Sequence, residues 1–378
     1  MIIHVVRQGD TVYSLARMYG TTPLKIIEDN ELDNPSELVI GQTLVILTDE
    51  TNKNLEEIAV FGYSYPDIRE RVLISALPHL SAINIFNYIV TEEGNLIYID
   101  DERLIKDALE YQVAPFMVLT NLKPGGGFSS ETMQKILNND YIQDILINNI
   151  LDTVKSKGYY GVDLDFEYVY PEDKEKFEDF IRKLTTVLHS EGYKVTAALA
   201  PKVRKDQKGI LYESHDYAVI GDIVDKVLLM TYEWGYILGP PMAVAPINEV
   251  ERVLQYAVTE MDSKKILMGI PNYGYDWTLP YKEGTRADVI SNPEAIEIAR
   301  RYGAEIHYDE TAQAPYFNYY DEDKREHIVW FEDARSIDAK LKLVDKYNLG
   351  GIFYWTIMNP FPQNWLVLEN TYKTEKYL

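Results

Sequence analysis

The chain has no cysteine, no apolar run long enough to cross a bilayer and a large deficit of positive charge. Its 378 residues contain no Cys, so neither disulfide nor thiolate chemistry operates in it. No stretch of about 20 consecutive apolar residues is present, which excludes a membrane-spanning helix. The net charge of −23 repels nucleic acid and anionic membranes, so neither is expected as a partner. No metal or other cofactor is predicted, because no pair of the six histidines has metal-ligand spacing: His4, His79, His189, His215, His307 and His327.

The N-terminus also lacks a secretory signal. Residues 1–7 have no basic start, no apolar stretch and no small-residue cleavage site. We therefore expect either that the protein does not use that export route or that a leader is missing from the sequence. The length fits a minor domain plus one large domain, and a hydrophobic content of 46% is ample for a sizeable core.

A run of alternating acids is the most informative stretch. Residues 161–167 read Gly-Val-Asp-Leu-Asp-Phe-Glu, so a strand there places Asp163, Asp165 and Glu167 on one face. Two such charges about 6 Å apart, at an effective dielectric of about 20, repel by roughly 2–3 kcal/mol, or about two pKa units. At least one carboxyl should therefore hold a proton at neutral pH, which suits a general acid. A solvent-facing edge strand is the alternative, but the apolar residues around the acids favour a buried strand.

The first 48 residues predict a small module with the order strand, helix, helix, strand. Residues 2–7 suit a strand, Asp10 is predicted to cap the first helix, and Gly20 ends that helix. Thr22, followed by proline, begins the second helix, and residues 38–46 form the closing strand.

These residues resemble a LysM domain. The resemblance is carried by Val6-x-x-Gly9-Asp10-Thr11-Val12-x-x-Leu15-Ala16, Asn30-x-Leu32 and Leu38-x-x-Gly41-Gln42-x-Leu44-x-Ile46. It implies a shallow groove that binds N-acetylglucosamine chains, formed by the first turn and by the loop before the last strand. The implied glycan-binding residues are Gly9, Asp10, Thr11, Val12, Leu38 and Ile40. Turn and cap formation would also explain Gly9 and Asp10.

Beyond a polar linker at residues 49–56, β-like apolar runs alternate with amphipathic helices over residues 57–378. The runs lie at 58–63, 82–90, 114–119, 162–167, 195–200, 227–232, 266–270 and 352–355. Eight such strands with helices between them predict an α/β fold, a (β/α)8 TIM barrel. The longest gap between strands contains β-like pieces of its own. We therefore predict a small α+β insertion at about residues 285–332, between strands 7 and 8.

Polar and aromatic residues stand at the predicted strand ends, where such barrels carry their functional side chains. Strand four ends in the three acids, strand six in Tyr232 and Glu233, and strand eight in Trp355, while Asn272 and Tyr273 follow strand seven. Aromatic faces and carboxylates together suit the binding of a sugar ring.

These strand ends resemble glycoside hydrolase family 18, the chitinase-like barrels. The family signature is Asp-x-x-Asp-x-Asp-x-Glu, and the last three acids match while Tyr160 replaces the first. The replacement puts the tuning of the carboxyl pKa values in question. Residues 230–233, Met-Thr-Tyr-Glu, resemble the Met-x-Tyr-Asp of the family, and Trp355 matches the tryptophan beneath the sugar.

The resemblance implies a retaining hydrolase with substrate-assisted catalysis. Glu167 would protonate the leaving oxygen, and the 2-acetamido oxygen of the substrate would attack the anomeric carbon. Asp165 would orient the acetamide, Asp163 would share its proton, and Tyr232 would bind the acetamide carbonyl. Further candidate sugar contacts, which packing at the barrel rim would explain equally well, are Tyr63, Asn272, Tyr273 and Glu233.

A LysM-like module beside this barrel implies a polymer of N-acetylglucosamine, either peptidoglycan or chitin, with no nucleic acid and no obligate protein partner. Tyr160 and the sequence Glu-Tyr-Val-Tyr-Pro at 167–171 resemble the spore cortex-lytic and spore-coat N-acetylglucosaminidases. That resemblance implies an N-acetylglucosaminidase of cortex peptidoglycan, made in the mother cell and deposited on the spore. Two alternatives stay open: a chitinase acting on chitin oligomers, and a catalytically silent carbohydrate-binding spore-coat protein. The intact acids argue against the silent protein.

Overall fold

The computed structural model describes residues 1–48 and 55–378, so most of the predicted linker lies outside the described residues. The N-terminal module has the predicted order of elements. They are β1 (Ile2–Val5), α1 (Val12–Tyr19), α2 (Pro23–Asp29) and β2 (Thr43–Ile46). The two strands pair antiparallel, and a small apolar core that includes Leu15, Ile26 and Leu44 lies beneath the helices.

Two local predictions for this module were wrong. The residue that caps α1 is Thr11 and not Asp10, because the Thr11 hydroxyl accepts from the backbone N–H of Ser14 while the Ser14 hydroxyl accepts from the N–H of Thr11. The Asp10 carboxylate instead accepts from the backbone N–H of Arg7 at 2.8 Å. The closing strand begins at Thr43 rather than at residue 38, since a turn at residues 39–42 precedes it.

The remaining elements alternate along residues 55–378. The strands are β3 (Glu57–Ser64), β4 (Ala82–Val90), β5 (Leu96–Ile97), β6 (Ala114–Thr120), β7 (Gly161–Asp165), β8 (Lys194–Leu199), β9 (Lys226–Leu229), β10 (Ile266–Pro271), β11 (Gly274–Thr278), β12 (Asp288–Ile290), β13 (His307–Asp309), β14 (Ala314–Tyr320), β15 (Glu326–Trp330), β16 (Gly351–Trp355) and β17 (Lys373–Thr374). The helices are α3 (Glu70–Ala76), α4 (Glu102–Glu110), α5 (Ser130–Leu137), α6 (Asp140–Lys157), α7 (Lys174–Ser190), α8 (Tyr217–Ile223), α9 (Ile247–Glu260), α10 (Asn292–Tyr302), α11 (Ala334–Tyr347) and α12 (Pro362–Thr371). Short 3-10 turns occupy Leu77–His79, Pro171–Asp173 and Ser263–Lys265. Within the described ranges, no helix is both long and apolar enough to span a bilayer.

The predicted (β/α)8 barrel is confirmed. Within residues 55–378, eight parallel strands pair in the order β3, β4, β6, β7, β8, β9, β10 and β16, and β16 pairs back to β3 to close the ring. The register sets Asp163 of β7 opposite Val118 of β6 and Thr196 of β8. Because the strands run parallel, their C-terminal ends meet at one rim, as the sequence predicted.

The insertion between β10 and β16 is an antiparallel sheet with one helix against it. Between Gly274 and Trp330, all of which the structure describes, five strands pair in the order β12, β11, β15, β14 and β13. The predicted bounds of 285–332 therefore omit β11, which pairs with β12 on one side and β15 on the other. Helix α10 covers a separate apolar core that includes Phe317 and Val329.

The N-terminal module is in direct contact with this insertion. The backbone N–H of Ile306 donates to the carbonyl of Ile40 at 2.9 Å, and Val39 is buried in the core of the insertion. Gly41 lies so close that an added Cβ would be 1.9 Å from the carbonyl oxygen of Ile306. On the barrel side, the Gln363 side chain donates to the carbonyl of Thr43 at 2.6 Å.

Candidate active site

The three acids lie at the C-terminal end of β7. The strand ends at Asp165, so Glu167 stands two residues beyond it and not within the strand as predicted. Asp163 is fully buried inside the barrel, Asp165 is 5% exposed, and Glu167 is partly exposed at the rim. The negative charges of Glu167 and Asp163 both raise the pKa of Asp165, so the structure brings the three carboxyls within electrostatic range of one another.

Asp163 is held from both sides by hydroxyl groups. The Tyr63 hydroxyl donates to one carboxylate oxygen and the Thr196 hydroxyl to the other, each at 2.5 Å. Burial raises the pKa of Asp163, and these two hydrogen bonds oppose that rise. The Tyr63 side chain is thus committed to Asp163 inside the barrel, where it is 2% exposed. At this position Tyr63 is suited to supporting Asp163 rather than to making the sugar contact that the sequence suggested.

The pKa values of Asp165 and Glu167 are both raised. Burial is the largest cause of the high pKa of Asp165, and the neighbouring charges add to it. Burial also raises the pKa of Glu167 to about 7. One oxygen of Asp165, Oδ1, is buried and has no hydrogen-bond partner within the described part of the chain. An unpaired buried acceptor is costly, and an N–H group of a bound molecule would relieve that cost.

Tyr232 and Glu233 lie beyond β9, which ends at Leu229 and so is shorter than predicted. Tyr232 is nearly buried, and its ring packs edge-on to Phe353. Burial, followed by the charges of the neighbouring carboxylates, keeps the pKa of Tyr232 well above its usual value, so its hydroxyl remains a donor. Glu233 adopts a left-handed backbone with φ of 67°. Its carboxylate accepts hydrogen bonds from the hydroxyls of Tyr273 and Tyr275.

Trp355 ends β16 and forms one wall of the opening together with other aromatic rings. Its ring packs edge-on to Tyr63 at 5.3 Å, to Phe86 at 5.1 Å and to Tyr65 at 6.3 Å. Tyr65, which the sequence analysis did not select, is 37% exposed and lies beside this wall. It comes directly after β3, so the rule that functional residues follow strand ends would have found it.

Asn272 lies beneath Trp355 and holds the chain there. Its backbone N–H donates to the carbonyl of Trp355 at 3.0 Å, and its side chain donates to the carbonyls of Thr356 and Asn359. The side-chain oxygen accepts from Asn292 at 3.3 Å. The side-chain amide of Asn272 therefore makes its hydrogen bonds within the protein. This suits a role in supporting Trp355 rather than the direct sugar contact suggested from sequence.

Tyr160 is distant from this rim, at the start of β7. Its ring stacks on Tyr377 at 6.0 Å and tilts against Phe116 at 5.8 Å. Its backbone N–H donates to the carbonyl of Pro115. The position where the family signature has its first aspartate is therefore filled here by aromatic packing at the bottom of the barrel.

A second position that the sequence analysis missed is Asn121, which follows β6 directly. Its fully buried side chain hydrogen-bonds both the backbone N–H and the carbonyl of Glu167. The rule that functional residues follow strand ends would have found it as well, because Thr120 is the last residue of β6. Within the described residues, no cluster of three or more His, Asp or Glu side chains is arranged to hold a metal ion.

The predicted glycan-binding residues of the N-terminal module differ in their exposure. Gly9 and Thr11 are exposed at the first turn, Gly9 with φ of 88°, while Val12 is buried in the module core. Leu38 packs partly into the same core. The side chain of Ile40 is exposed, but its carbonyl accepts a hydrogen bond from the insertion. This loop therefore belongs both to the module surface and to the contact with the insertion.

Both parts of the chain match known families. Residues 118–359 match the model of Glycosyl hydrolases family 18, and residues 4–47 match the LysM domain. The chain is 38% identical, over 428 aligned positions, to the cortical fragment-lytic enzyme of Bacillus subtilis (strain 168), with 100% of this chain and 99% of that protein covered. The crystal structure of the Bacillus megaterium QM B1551 spore cortex-lytic enzyme SleL superposes with a TM-score of 0.95 at 39% identity, covering 100% and 99% of the two chains. A chitinase from Chromobacterium violaceum ATCC 12472 is less similar, with a TM-score of 0.77 at 26% identity, covering 83% and 98%.

The family match spans more than half of the chain. It begins within β6 and extends past β16, so it includes the acids of β7, the loop after β9 and Trp355. The similarity to the Bacillus subtilis protein also includes the N-terminal module, since it covers the full length of both proteins. This chain therefore belongs to glycosyl hydrolase family 18 and carries a LysM domain ahead of its barrel.

Proposed function

We propose that the protein is a retaining N-acetylglucosaminidase that cleaves spore cortex peptidoglycan after N-acetylglucosamine. The observation that carries this proposal is the position of Asp165 and Glu167 at the C-terminal end of β7, beside an aromatic wall, with the pKa values of both carboxyls raised. The full-length similarity to a cortical fragment-lytic enzyme supports cortex as the polymer. For the domains we propose a LysM module at residues 1–48 and a catalytic barrel at 57–378.

In the first step, Glu167 acts as the general acid. Its proton passes to the glycosidic oxygen as the bond from that oxygen to the anomeric carbon breaks, which leaves Glu167 as a carboxylate. The acetamido oxygen of the same N-acetylglucosamine forms the new bond to the anomeric carbon, which gives a cyclic oxazolinium ion. Asp165 passes its proton to Asp163, accepts the acetamide N–H on its unpaired oxygen and, as a carboxylate, stabilises the positive charge, while the Tyr232 hydroxyl donates to the acetamide oxygen.

In the second step, Glu167 acts as the general base. A water molecule gives its proton to the Glu167 carboxylate and bonds to the anomeric carbon, and the acetamido oxygen leaves. Two inversions at one carbon restore the starting configuration. Asp163, held by Tyr63 and Thr196, returns the shared proton to Asp165 as the ring opens.

The test is the identity of the new chain ends after digestion of purified cortex. Under this proposal, mass spectrometry of the released muropeptides finds N-acetylglucosamine at the new reducing ends. Muramic acid at those ends would refute the cleavage position. Faster hydrolysis of chitin oligomers than of cortex fragments would favour a chitinase instead.

The matched control is Glu167→Gln, which keeps the shape of the side chain and removes its transferable proton. We expect release of fragments to fall by about 10²–10⁴-fold, the usual contribution of a general acid. A thermal unfolding curve unchanged from wild type would show that the variant is folded. Turnover that persists in the folded variant would contradict the role given to Glu167.

A further inference from the structure

The segment that follows β7 has no regular secondary structure, although it carries Glu167. Residues 166–170 form neither helix nor strand, and Tyr168 adopts a left-handed backbone with φ of 57°. A segment of this kind has no ladder of backbone hydrogen bonds to fix it in place. Its buried N–H and carbonyl groups must therefore find partners elsewhere, and those partners decide where the Glu167 carboxyl stands.

Side chains from two neighbouring loops and from the start of α5 supply these partners. The Asn121 side chain accepts from the N–H of Glu167 at 3.0 Å and donates to its carbonyl at 2.8 Å. His215 hydrogen-bonds the carbonyl of Phe166 at 3.0 Å through Nε2. The Ser130 hydroxyl donates to the carbonyl of Tyr168 at 2.5 Å.

The same arrangement continues to the end of the segment, where the Ser214 hydroxyl donates to the carbonyls of Val169 at 3.0 Å and Tyr170 at 3.2 Å. The side chains of Asn121, Ser214 and His215 are almost fully buried, so water does not compete for these bonds. Such bonds are stronger in a dry interior, and each is costly to leave unmade.

The bonds of His215 also fix its chemical form. Its Nδ1 accepts from the backbone N–H of Ala200 at 2.9 Å, so the ring proton resides on Nε2 and is donated to Phe166. Burial lowers the pKa of His215 to about 4, so this neutral form persists across the neutral pH range. His215 is thus a fixed donor and does not itself transfer protons in the site.

From this geometry we infer that Asn121 is a positioning residue for Glu167. Its two bonds to one residue fix both the N–H and the carbonyl of the acid, which no other side chain of the set does. The inference rests on the proposed function, because it assigns the role of Glu167 as proton donor. A displacement of about 1 Å in a catalytic group lowers turnover by about a hundredfold, so loss of this anchor should be visible in the kinetics.

The variant is Asn121→Ala, and the chain offers a close control in Asn30→Ala. Asn30 makes the same pair of bonds to Val45 within the LysM domain, accepting from the N–H at 2.7 Å and donating to the carbonyl at 2.9 Å. Two substrates are compared: a cortex glycan fragment, whose leaving sugar needs a proton, and 2,4-dinitrophenyl β-N-acetylglucosaminide, whose leaving group does not. For Asn121→Ala we expect kcat on the fragment to fall by about a hundredfold, with a much smaller fall on the aryl glycoside. For Asn30→Ala we expect both rates to match wild type.

Equal losses on both substrates, or no loss, would overturn the positioning role, since a purely structural defect lowers the active fraction for every substrate alike. If Asn121→Ala does not fold, Ser130→Ala replaces it, with the same selective loss expected at a smaller size. An NMR titration of the Glu167 carboxyl provides a readout that does not depend on turnover. Water entering the loosened segment should lower the pKa of Glu167 in Asn121→Ala, and an unchanged pKa would refute the inference even if wild type cleaves neither substrate. Wild type that cleaves neither substrate would refute the proposed function.

Discussion

The pKa of Glu167 should stay high when Asp165 is neutralised, because burial is its cause. Burial raises the pKa from the ordinary value of 4.5 to about 7. At pH 7 a carboxyl with the ordinary value holds a proton in about one molecule in 300, whereas a pKa of about 7 leaves about half of the molecules protonated. The fold therefore increases the fraction of ready acid by about 150-fold.

Asp165→Asn separates burial from charge repulsion. Burial and the charges of Glu167 and Asp163 raise the pKa of Asp165 well above its ordinary value, whereas burial alone raises the pKa of Glu167. If repulsion were the cause instead, removing a charge about 6 Å away would lower the pKa of Glu167 by about two units, to about 5. A general acid must be protonated to act, so activity is lost as the pH rises through the pKa of Glu167.

The assay is the pH dependence of kcat/KM on cortex glycan fragments between pH 4 and pH 9, which reports the pKa values of the free enzyme. In Asp165→Asn we expect kcat to fall by about a hundredfold or more, because the amide cannot supply the negative charge that stabilises the oxazolinium ion, while the alkaline limb stays near pH 7. Glu167→Gln should show no such limb in its residual activity. An alkaline limb near pH 5 in Asp165→Asn would refute burial as the cause and restore the repulsion argument.

Two further predictions concern the buried ion pair of Lys340 and Glu332 and the aromatic wall at Trp355. The Nζ of Lys340 lies 2.8 and 3.1 Å from the carboxylate of Glu332 and both side chains are fully buried, so Lys340→Met should cost about 3–5 kcal/mol of stability in urea unfolding. Adding Glu332→Gln to Lys340→Met should recover part of the lost stability. A Lys340→Met variant as stable as wild type would contradict this reasoning. Trp355→Ala should raise KM for soluble N-acetylglucosamine oligomers by about tenfold, since a stacked aromatic ring contributes about 1 kcal/mol or more beyond its buried area. An unchanged KM in steady-state kinetics would place the sugar elsewhere.

Much of the fold could be predicted from the sequence, because it depends on patterns that are local along the chain. Each of the eight apolar runs became a barrel strand, with ends that moved by a few residues at most. The acids of β7 were recognised because their alternation puts three charges on one face of an apolar strand. The end of β9 was placed too late, since Met230 to Tyr232 continue the apolar pattern although Tyr232 already lies in the loop.

The partners of individual side chains could not be predicted, since they depend on register between distant strands. Tyr63 and Asn272 lie where a sugar contact is plausible. Yet the Tyr63 hydroxyl donates a hydrogen bond to Asp163, 100 residues away, and the Asn272 side chain donates one to the carbonyl of Thr356. No local pattern reports either pairing. The wrong prediction of Asp10 as the cap of α1 has a different origin. Either Asp10 or Thr11 could cap the helix, and the contact of Asp10 with Arg7 leaves Thr11 as the cap.

Contact between the LysM domain and the insertion changes how the module contributes to binding. A tethered module raises local concentration by an amount that depends on linker length and stiffness. Here Gly41 fits against Ile306 with no room for a side chain, and the N–H of Ile306 bonds the carbonyl of Ile40. The Arg300 guanidinium adds a contact to Glu37 at 2.9 Å. These contacts hold the exposed first turn, with Gly9 and Thr11, at a fixed distance from the barrel rim. A glycan that bound on that turn, as predicted, would gain from preorganisation of the two surfaces, because the geometry is fixed by packing before any substrate arrives.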